Sequence, residues 1–299
     1  MARIKDLEHK IVGFRQLMTL HAHETDFAEM KPLASLSDET CGNVIGILTD
    51  IDDTITTDGR LPASSYAMLE RLADNGLLVI PITGRPAGWC DMIARFWPVA
   101  GIVGENGALA MRYDGKARKM RRLTHMDEAT RLKNRKRLDA LSKTILDDVK
   151  GAALASDQQY READIAIDFC EDVPPLGKTD IDRITDHFKN SGAKCKVSSI
   201  HVNGWFGDWD KLSMSRRFLQ EEFGIDLNGS KNKFIYCGDS PNDAPMFDFF
   251  PHACGVANVA DFLDRMEALP RYIAPSRGAE GFVEIGNRIL SARGRRAVR

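Results

Sequence analysis

The chain has 299 residues, 43% of them hydrophobic and 28% charged, which suits a folded globular protein of about two domains and excludes wholesale disorder. Its 41 Lys and Arg against 43 Asp and Glu leave a formal charge of −2, so bulk electrostatics predict no nucleic-acid partner. No apolar run approaches the ~18 residues of a membrane-spanning helix, and the charged N-terminus lacks an apolar h-region, so no membrane or secretory role is expected. Six scattered cysteines with no C-x-x-C argue against a zinc site or a disulfide scaffold and fit reduced thiols in the cytoplasm.

Residues 1–40 read as a polar extension, either a poorly ordered arm or one amphipathic helix, with Leu7, Ile11, Phe14 and Met18 at helical spacing and Pro32 breaking the pattern. The character changes at Val44. Val44–Leu48 predicts a strand buried on both faces, followed by Thr49-Asp50-Ile51-Asp52-Asp53-Thr54. Residues 64–75 predict a helix, stopped by Asn75-Gly76. Leu77–Ile82 predicts a second strand ending at Thr83-Gly84-Arg85, residues 87–96 a second helix, and Gly101–Gly104 a third strand leading to Glu105-Asn106-Gly107. Alternating strands and helices imply a parallel sheet with crossover helices.

The middle of the chain differs. Residues 112–137 hold eleven Lys and Arg against three acids, read as a solvated helix face in preference to a site for a second anionic group. Residues 127–149 predict a helix with Leu132, Leu138, Leu141 and Ile145 inward. Ala163–Phe169 alternates as a strand, 178–190 predicts a helix, and Lys194–Val202 a further strand, together a small inserted α/β module. The larger pattern resumes with a helix over 210–223 and a strand at Phe234–Cys237 that ends in Gly238-Asp239-Ser240-Pro241-Asn242-Asp243. Cys254–Ala257 predicts one more strand, and the arginine-rich Ser291–Arg299 a solvated tail.

Ligands of open parallel sheets bind beyond the carboxyl ends of the strands. Neighbouring strands here would bring Asp50, Asp52, Asp53, Asp239 and Asp243 into one crevice, where a hard divalent cation offsets their mutual repulsion. Singly, each Asp is as well explained as a helix cap or a turn residue; two clusters at strand ends are not.

These motifs resemble those of the haloacid dehalogenase superfamily. Asp50-Ile51-Asp52-Asp53-Thr54 resembles its D-x-D-x-T motif, Ile82–Arg85 its second motif, Lys211 its third-motif lysine, and Gly238–Asp243 its fourth motif, G-D-S-x-N-D. The fourth motif, the long insertion and Glu105-Asn106-Gly107-Ala108 are similar to the subgroup with an α/β C2B cap, among them sucrose-phosphate, trehalose-phosphate, mannosyl-3-phosphoglycerate and Cof-type phosphatases. Asp53 departs from the Gly of many members. The resemblance implies an α/β Rossmann-like core of residues 41–110 and 203–292, helices on both faces of a parallel sheet, a cap over 111–202, and a basic tail at 293–299.

The resemblance also implies a Mg²⁺-dependent phosphatase acting on a small phosphorylated metabolite, a sugar phosphate or a phosphoglycerate derivative. Asp50 would be the nucleophile forming an aspartyl-phosphate, and Asp52 the acid and base for leaving group and water. Mg²⁺ would sit on the Asp50 and Asp239 carboxylates and the Asp52 carbonyl, with Asp243 orienting Lys211. Thr83, Lys211 and backbone N–H groups near Thr54 and Gly84 would bind the phosphoryl group, and Asn242 and Arg85 the substrate, although Arg85 equally suits pairing with a local acid. Alternatives are a phosphomutase of the phosphomannomutase kind and a catalytically silent binding protein. His201 and Asn203, in the returning linker, are weaker candidates for leaving-group contact, and Trp205–Trp209 reads as packing at the hinge. The oligomeric state is left open.

Overall fold

A computed structural model describes residues 30–297; the expected helix through Leu7 and Met18 lies outside the described residues. The central sheet has six parallel strands in the order β1 (Lys31–Pro32), β13 (Tyr272–Ile273), β12 (Ala253–Gly255), β11 (Phe234–Gly238), β2 (Gly46–Thr49), β3 (Leu78–Pro81). Both faces are covered, so the strands are apolar throughout rather than alternating. Ile47 and Val79 point toward α1 (Asp38–Asn43), α2 (Ala63–Asp74), α3 (Ala87–Phe96) and a long C-terminal helix, among Leu69, Leu72, Phe282 and Ile285. Leu48 and Ile80 point the other way, among Phe218, Phe234 and Tyr236.

A single bridge from Ile82 to Val103 joins β4 (Ile102–Gly104) to this sheet. Beyond β4, β5 (Leu109–Asp114) and β6 (Lys119–Thr124) add an antiparallel hairpin. The inserted module then begins with α4 (Glu128–Asp148). Its sheet is antiparallel, in the order β7 (Ala153–Leu154), β8 (Asp164–Asp168), β10 (His201–Trp205), β9 (Lys194–Val197). Together with α4 and α5 (Lys178–Asn190), it closes a separate core of Leu138, Ile145, Ile165, Ile167, Ile184, Phe188 and Val202. The fold is therefore α/β, a doubly covered parallel sheet with a smaller α/β module inserted, as the sequence predicts.

Several local expectations change. Residues 30–40 are part of the sheet layer: β1 pairs with β13, and Leu33 and Leu36 are buried in the core. The basic stretch is half hairpin, and five of its seven arginines pair with acids or donate to a carbonyl. Arg112 and Arg121 pair with Glu222, Arg122 and Arg131 with Glu162, and Arg135 donates to the Arg161 carbonyl. Leu132, expected inward, is 58% exposed on α4. The strand expected over Lys194–Val202 folds back at Ser198, where the Ser198 Oγ accepts the N–H groups of Ile200 and His201. His201 and Asn203 thus lie on β10 rather than in a linker. The chain end from Ser291 continues a helix spanning Gly278–Ala297; Ala292 is buried, and Arg293 donates to the carbonyl of Val44 at 2.6 Å.

Candidate active site

The site starts from the register of two strands. β2 and β11 pair in parallel with Thr49 opposite Cys237, and the Asp50 N–H donates to the Cys237 carbonyl at 2.8 Å. Asp50 and Asp239 therefore leave the sheet side by side at its carboxyl edge. Lys211 comes to them as the first residue of α6 (Lys211–Phe223), a start fixed by a capping box between Asp210 and Ser213. Its Nζ donates to Asp50 Oδ1 and Asp243 Oδ1, both at 2.6 Å. Asp243 also accepts from the Tyr236 hydroxyl and, through Oδ2, from the N–H groups of Asp239 at 3.0 Å and Ser240 at 3.3 Å. Its carboxylate is saturated, so what it does here is hold Lys211 and the turn after β11 in place.

Asp50, Asp239 and Asp243 are all buried, and each offers an oxygen within 4.8 Å of the others. Burial pushes the Asp50 carboxyl up to about 8 despite the pull of Lys211, with Asp243 and Asp52 adding to the push. Burial, with Asp50 and Asp243 beside it, raises Asp239 well above the ordinary carboxylate range. Burial also works against the charge on Lys211, but Asp243 and Asp50 outweigh it and keep the ammonium protonated. One ammonium does not offset three ionised carboxylates at this spacing, which is part of why Asp50 and Asp239 are pushed up. Asp239 Oδ1 takes a hydrogen bond from the Thr54 hydroxyl at 3.3 Å, while Oδ2 is buried and has no partner among the described residues. An all-oxygen donor set with an unpartnered carboxylate oxygen fits a hard divalent cation.

The remaining expected site residues surround this cluster unevenly. Thr83 follows β3, the strand next to β2, and its Oγ1 accepts the Arg85 N–H at 2.9 Å. Asn242 is buried in the turn after Asp239 and accepts from the Ser240 hydroxyl at 3.0 Å. Gly84 lies between Thr83 and Arg85, against the side chains of Asn106 and Asn203. Asp52 is paired with a cation: its carboxylate takes the Arg85 Nε at 2.9 and 3.1 Å. Of the two readings open for Arg85, the structure realises pairing with acids, since Asp52, Asp157 and Glu171 all lie within salt-bridge distance.

Glu171 and Asp157 reach Arg85 from the inserted module, and no local spacing in the sequence marks them. Burial works to raise the Glu171 carboxyl, but His201 and Arg85 overcome it and pull it down to about 2. A carboxyl with an unfolded value near ~4.3 then stabilises the fold fully above about pH 5 and loses that contribution as pH falls toward 2. Denaturation over this range checks the point. The stability gap between wild type and Glu171→Gln is expected to be widest near neutrality and to close on acidification; a constant gap would contradict the pairing.

Residues 47–139 match the family model of haloacid dehalogenase-like hydrolases. A protein of Thermoplasma acidophilum superposes with a TM-score of 0.60 at 18% identity, over 83% of this chain and 99% of its own. The sucrose-phosphatase of Synechocystis, solved with sucrose and phosphate, gives 0.56 at 18% identity over 83% and 98%. The C-terminal domain of a Candida albicans trehalose synthase regulatory protein gives 0.59 at 12% identity over 87% and 99%. The fold is that of the haloacid dehalogenase-like hydrolases. No curated protein matches the sequence. The family match spans the segment that carries Asp50, Asp52 and Thr83, while Lys211, Asp239 and Asp243 lie beyond it and join the site through the fold. Among the described residues, no helix is long and apolar enough to cross a membrane.

Proposed function

We propose that the chain is a Mg²⁺-dependent phosphatase of a small phosphorylated metabolite, a sugar phosphate first among the candidates. The observation that carries this reading is the meeting of Asp50, Asp239 and Lys211 in one buried cluster at the carboxyl edge of adjacent strands. Sucrose and phosphate bound to the Synechocystis neighbour support the choice of substrate class.

In this reading Asp50 attacks phosphorus, the P–O bond to the substrate breaks, and an aspartyl-phosphate forms that water then opens. The Lys211 ammonium, held by Asp243, faces the charge that spreads over the phosphoryl oxygens, and the Thr83 hydroxyl and Gly84 N–H bind the same oxygens. Asp52 protonates the departing alkoxide and afterwards takes a proton from water. Arg85 holds that carboxylate as an ion pair, so the role requires Asp52 and Arg85 to part. The carboxylates of Asp50 and Asp239 and the Asp52 carbonyl would hold a Mg²⁺, which would supply the positive charge the phosphoryl group needs. We assign the inserted module the role of cap, with its boundary after Thr124, because β5 and β6 pair with β4.

A panel of phosphorylated metabolites assayed for free phosphate tests the reading. Release is expected with Mg²⁺, falling by on the order of 10²-fold or more in EDTA and returning when Mg²⁺ is restored in excess. Full activity in chelator removes the metal from the account, and release from no substrate removes the phosphatase.

A further inference from the structure

The tips of neighbouring strands form a row: Asp239 after β11, Asp50 after β2, Thr83 after β3 and, one strand further, Asn106 after β4. The first three are absorbed by the proposed chemistry, and Asn106 is not. Its side chain is 2% exposed, yet neither Oδ1 nor Nδ2 has a hydrogen-bond partner among the described residues. A buried carboxamide with both functions unmet is rare and calls for a partner. The backbone is also unusual. Glu105, Asn106 and Gly107 have φ of +46°, +52° and +102°, three consecutive residues in a region that disfavours side chains.

The surroundings hold the loop in that shape. The Asn106 N–H donates to the Thr83 carbonyl at 3.0 Å. Gly107 lies so close to the start of α6 that a Cβ there would sit 2.0 Å from the Asp210 carbonyl oxygen. On the other side, a Cβ on Gly84 would sit 3.1 Å from Asn106 Nδ2 and 3.4 Å from both Asn106 Oδ1 and Asn203 Oδ1. The free carboxamide therefore lies beside the Thr83-Gly84 backbone, under the strand of the inserted module that carries Asn203, and next to the helix that delivers Lys211.

We propose that Asn106 is a substrate-binding residue whose carboxamide hydrogen-bonds a hydroxyl of the leaving group beside the transferred phosphoryl. This rests on the phosphatase reading. A carboxamide presents one acceptor and one donating NH₂, and a hydroxyl can meet both. A phosphoryl or carboxylate oxygen only accepts and would leave Oδ1 unmet. The occupant is thus an alcohol-rich leaving group rather than one recognised through a second anion. The acids around Arg85 (Asp52, Asp157 and Glu171) agree, since they leave that side of the crevice without spare positive charge.

Asn106→Gly tests it cleanly, because glycine deletes the carboxamide and favours the observed φ. The measurement is kcat and KM for glucose, fructose and mannose phosphates against p-nitrophenyl phosphate, whose leaving group has no hydroxyl beside the reacting oxygen. The preference for the best hexose phosphate over p-nitrophenyl phosphate is expected to fall about tenfold or more, with the melting temperature level or raised. Equal losses on both overturn the proposal and leave the carboxamide a holder of water or backbone. Should the wild type hydrolyse no hexose phosphate, melting shifts decide instead. The proposal then expects a hexose phosphate to stabilise the wild type more than orthophosphate does, with the excess lost in the variant. No excess, or an excess the variant retains, overturns it. Absence of turnover with every compound is the separate failure of the phosphatase reading.

Discussion

Asp50→Asn lowers phosphate release by on the order of 10⁴-fold or more in kcat, while the melting temperature stays level or rises. The amide is nearly isosteric and leaves Lys211 its bond to Asp243, so the cluster keeps its packing. What it loses is the oxygen nucleophile, for which neither Asp239 nor Asp243 can substitute. Asp243 is tied by Lys211, Tyr236 and two N–H groups, and Asp239 sits on the neighbouring strand. The stability side follows from burial, which raises the folded-state value of Asp50 to about 8 from an unfolded value near ~3.9. Such a group binds its proton more tightly when folded, so its contribution to stability declines as pH rises from about 4 to about 8. The Asn variant lacks that decline, and its melting temperature should vary less with pH over this window. Near-wild-type turnover would remove Asp50 as nucleophile; a large drop in melting temperature would make the residue chiefly structural.

The parts of the fold legible in the sequence were those where local pattern and burial agree. The apolar runs that became β2, β3 and β11 have no polar face to confuse with a helix, and α3 and α5 begin and end where the periodicity places them. The polar tips of β2 and β11 carried the candidate site: Asp50, Asp239 and Asp243 meet there with Lys211 from the start of α6, although up to 193 positions separate them, from Asp50 to Asp243. The hairpin over Leu109–Thr124 was hidden by its charge, although Asp114-Gly115 between alternating Leu109, Met111 and Tyr113 is a turn signal. Alternation also ran through the fold-back at Ser198, because period two looks alike on both sides of a tight turn. In the C-terminal helix, Phe282, Ile285 and Ile289 keep helical spacing, but Gly278, Gly281 and Gly286 dilute the signal. The partners of Arg85 were out of reach for another reason. Asp157 and Glu171 lie 72 and 86 positions away on the inserted module, and only the docking of that module decides which acids arrive.

That docking has a buried anchor, beside the ion pairs of Arg85, whose loss should show. Glu105→Ala is expected to lower stability by about 3–5 kcal/mol, about 10 °C in melting temperature. Glu105 is fully buried between the two parts of the chain. Its Oε1 accepts the N–H of Ala87, at the start of α3, at 2.9 Å and that of Glu162 at 2.8 Å. Its Oε2 accepts the N–H groups of Ala163 at 2.6 Å and Asp164 at 3.2 Å, where the inserted module enters β8. Burial and Asp164 push this carboxyl up to about 7, against Arg161 and the N–H groups. Those donors are therefore what makes the buried charge tolerable, and Ala leaves all four of them without an acceptor, each at a cost of about 1–3 kcal/mol before relaxation. Glu105→Gln, which keeps one acceptor oxygen but turns an NH₂ toward two donors, should fall between the two. Urea unfolding of the three proteins at one pH orders them; an Ala variant within about 1 kcal/mol of wild type would show that water replaces the carboxylate and that the two parts are held by other contacts. The Ala variant should also lose activity beyond its share of unfolded protein, because the turn that holds Glu105 is the one that sets Asn106 beside Gly84 and Gly107 against the start of the helix that carries Lys211.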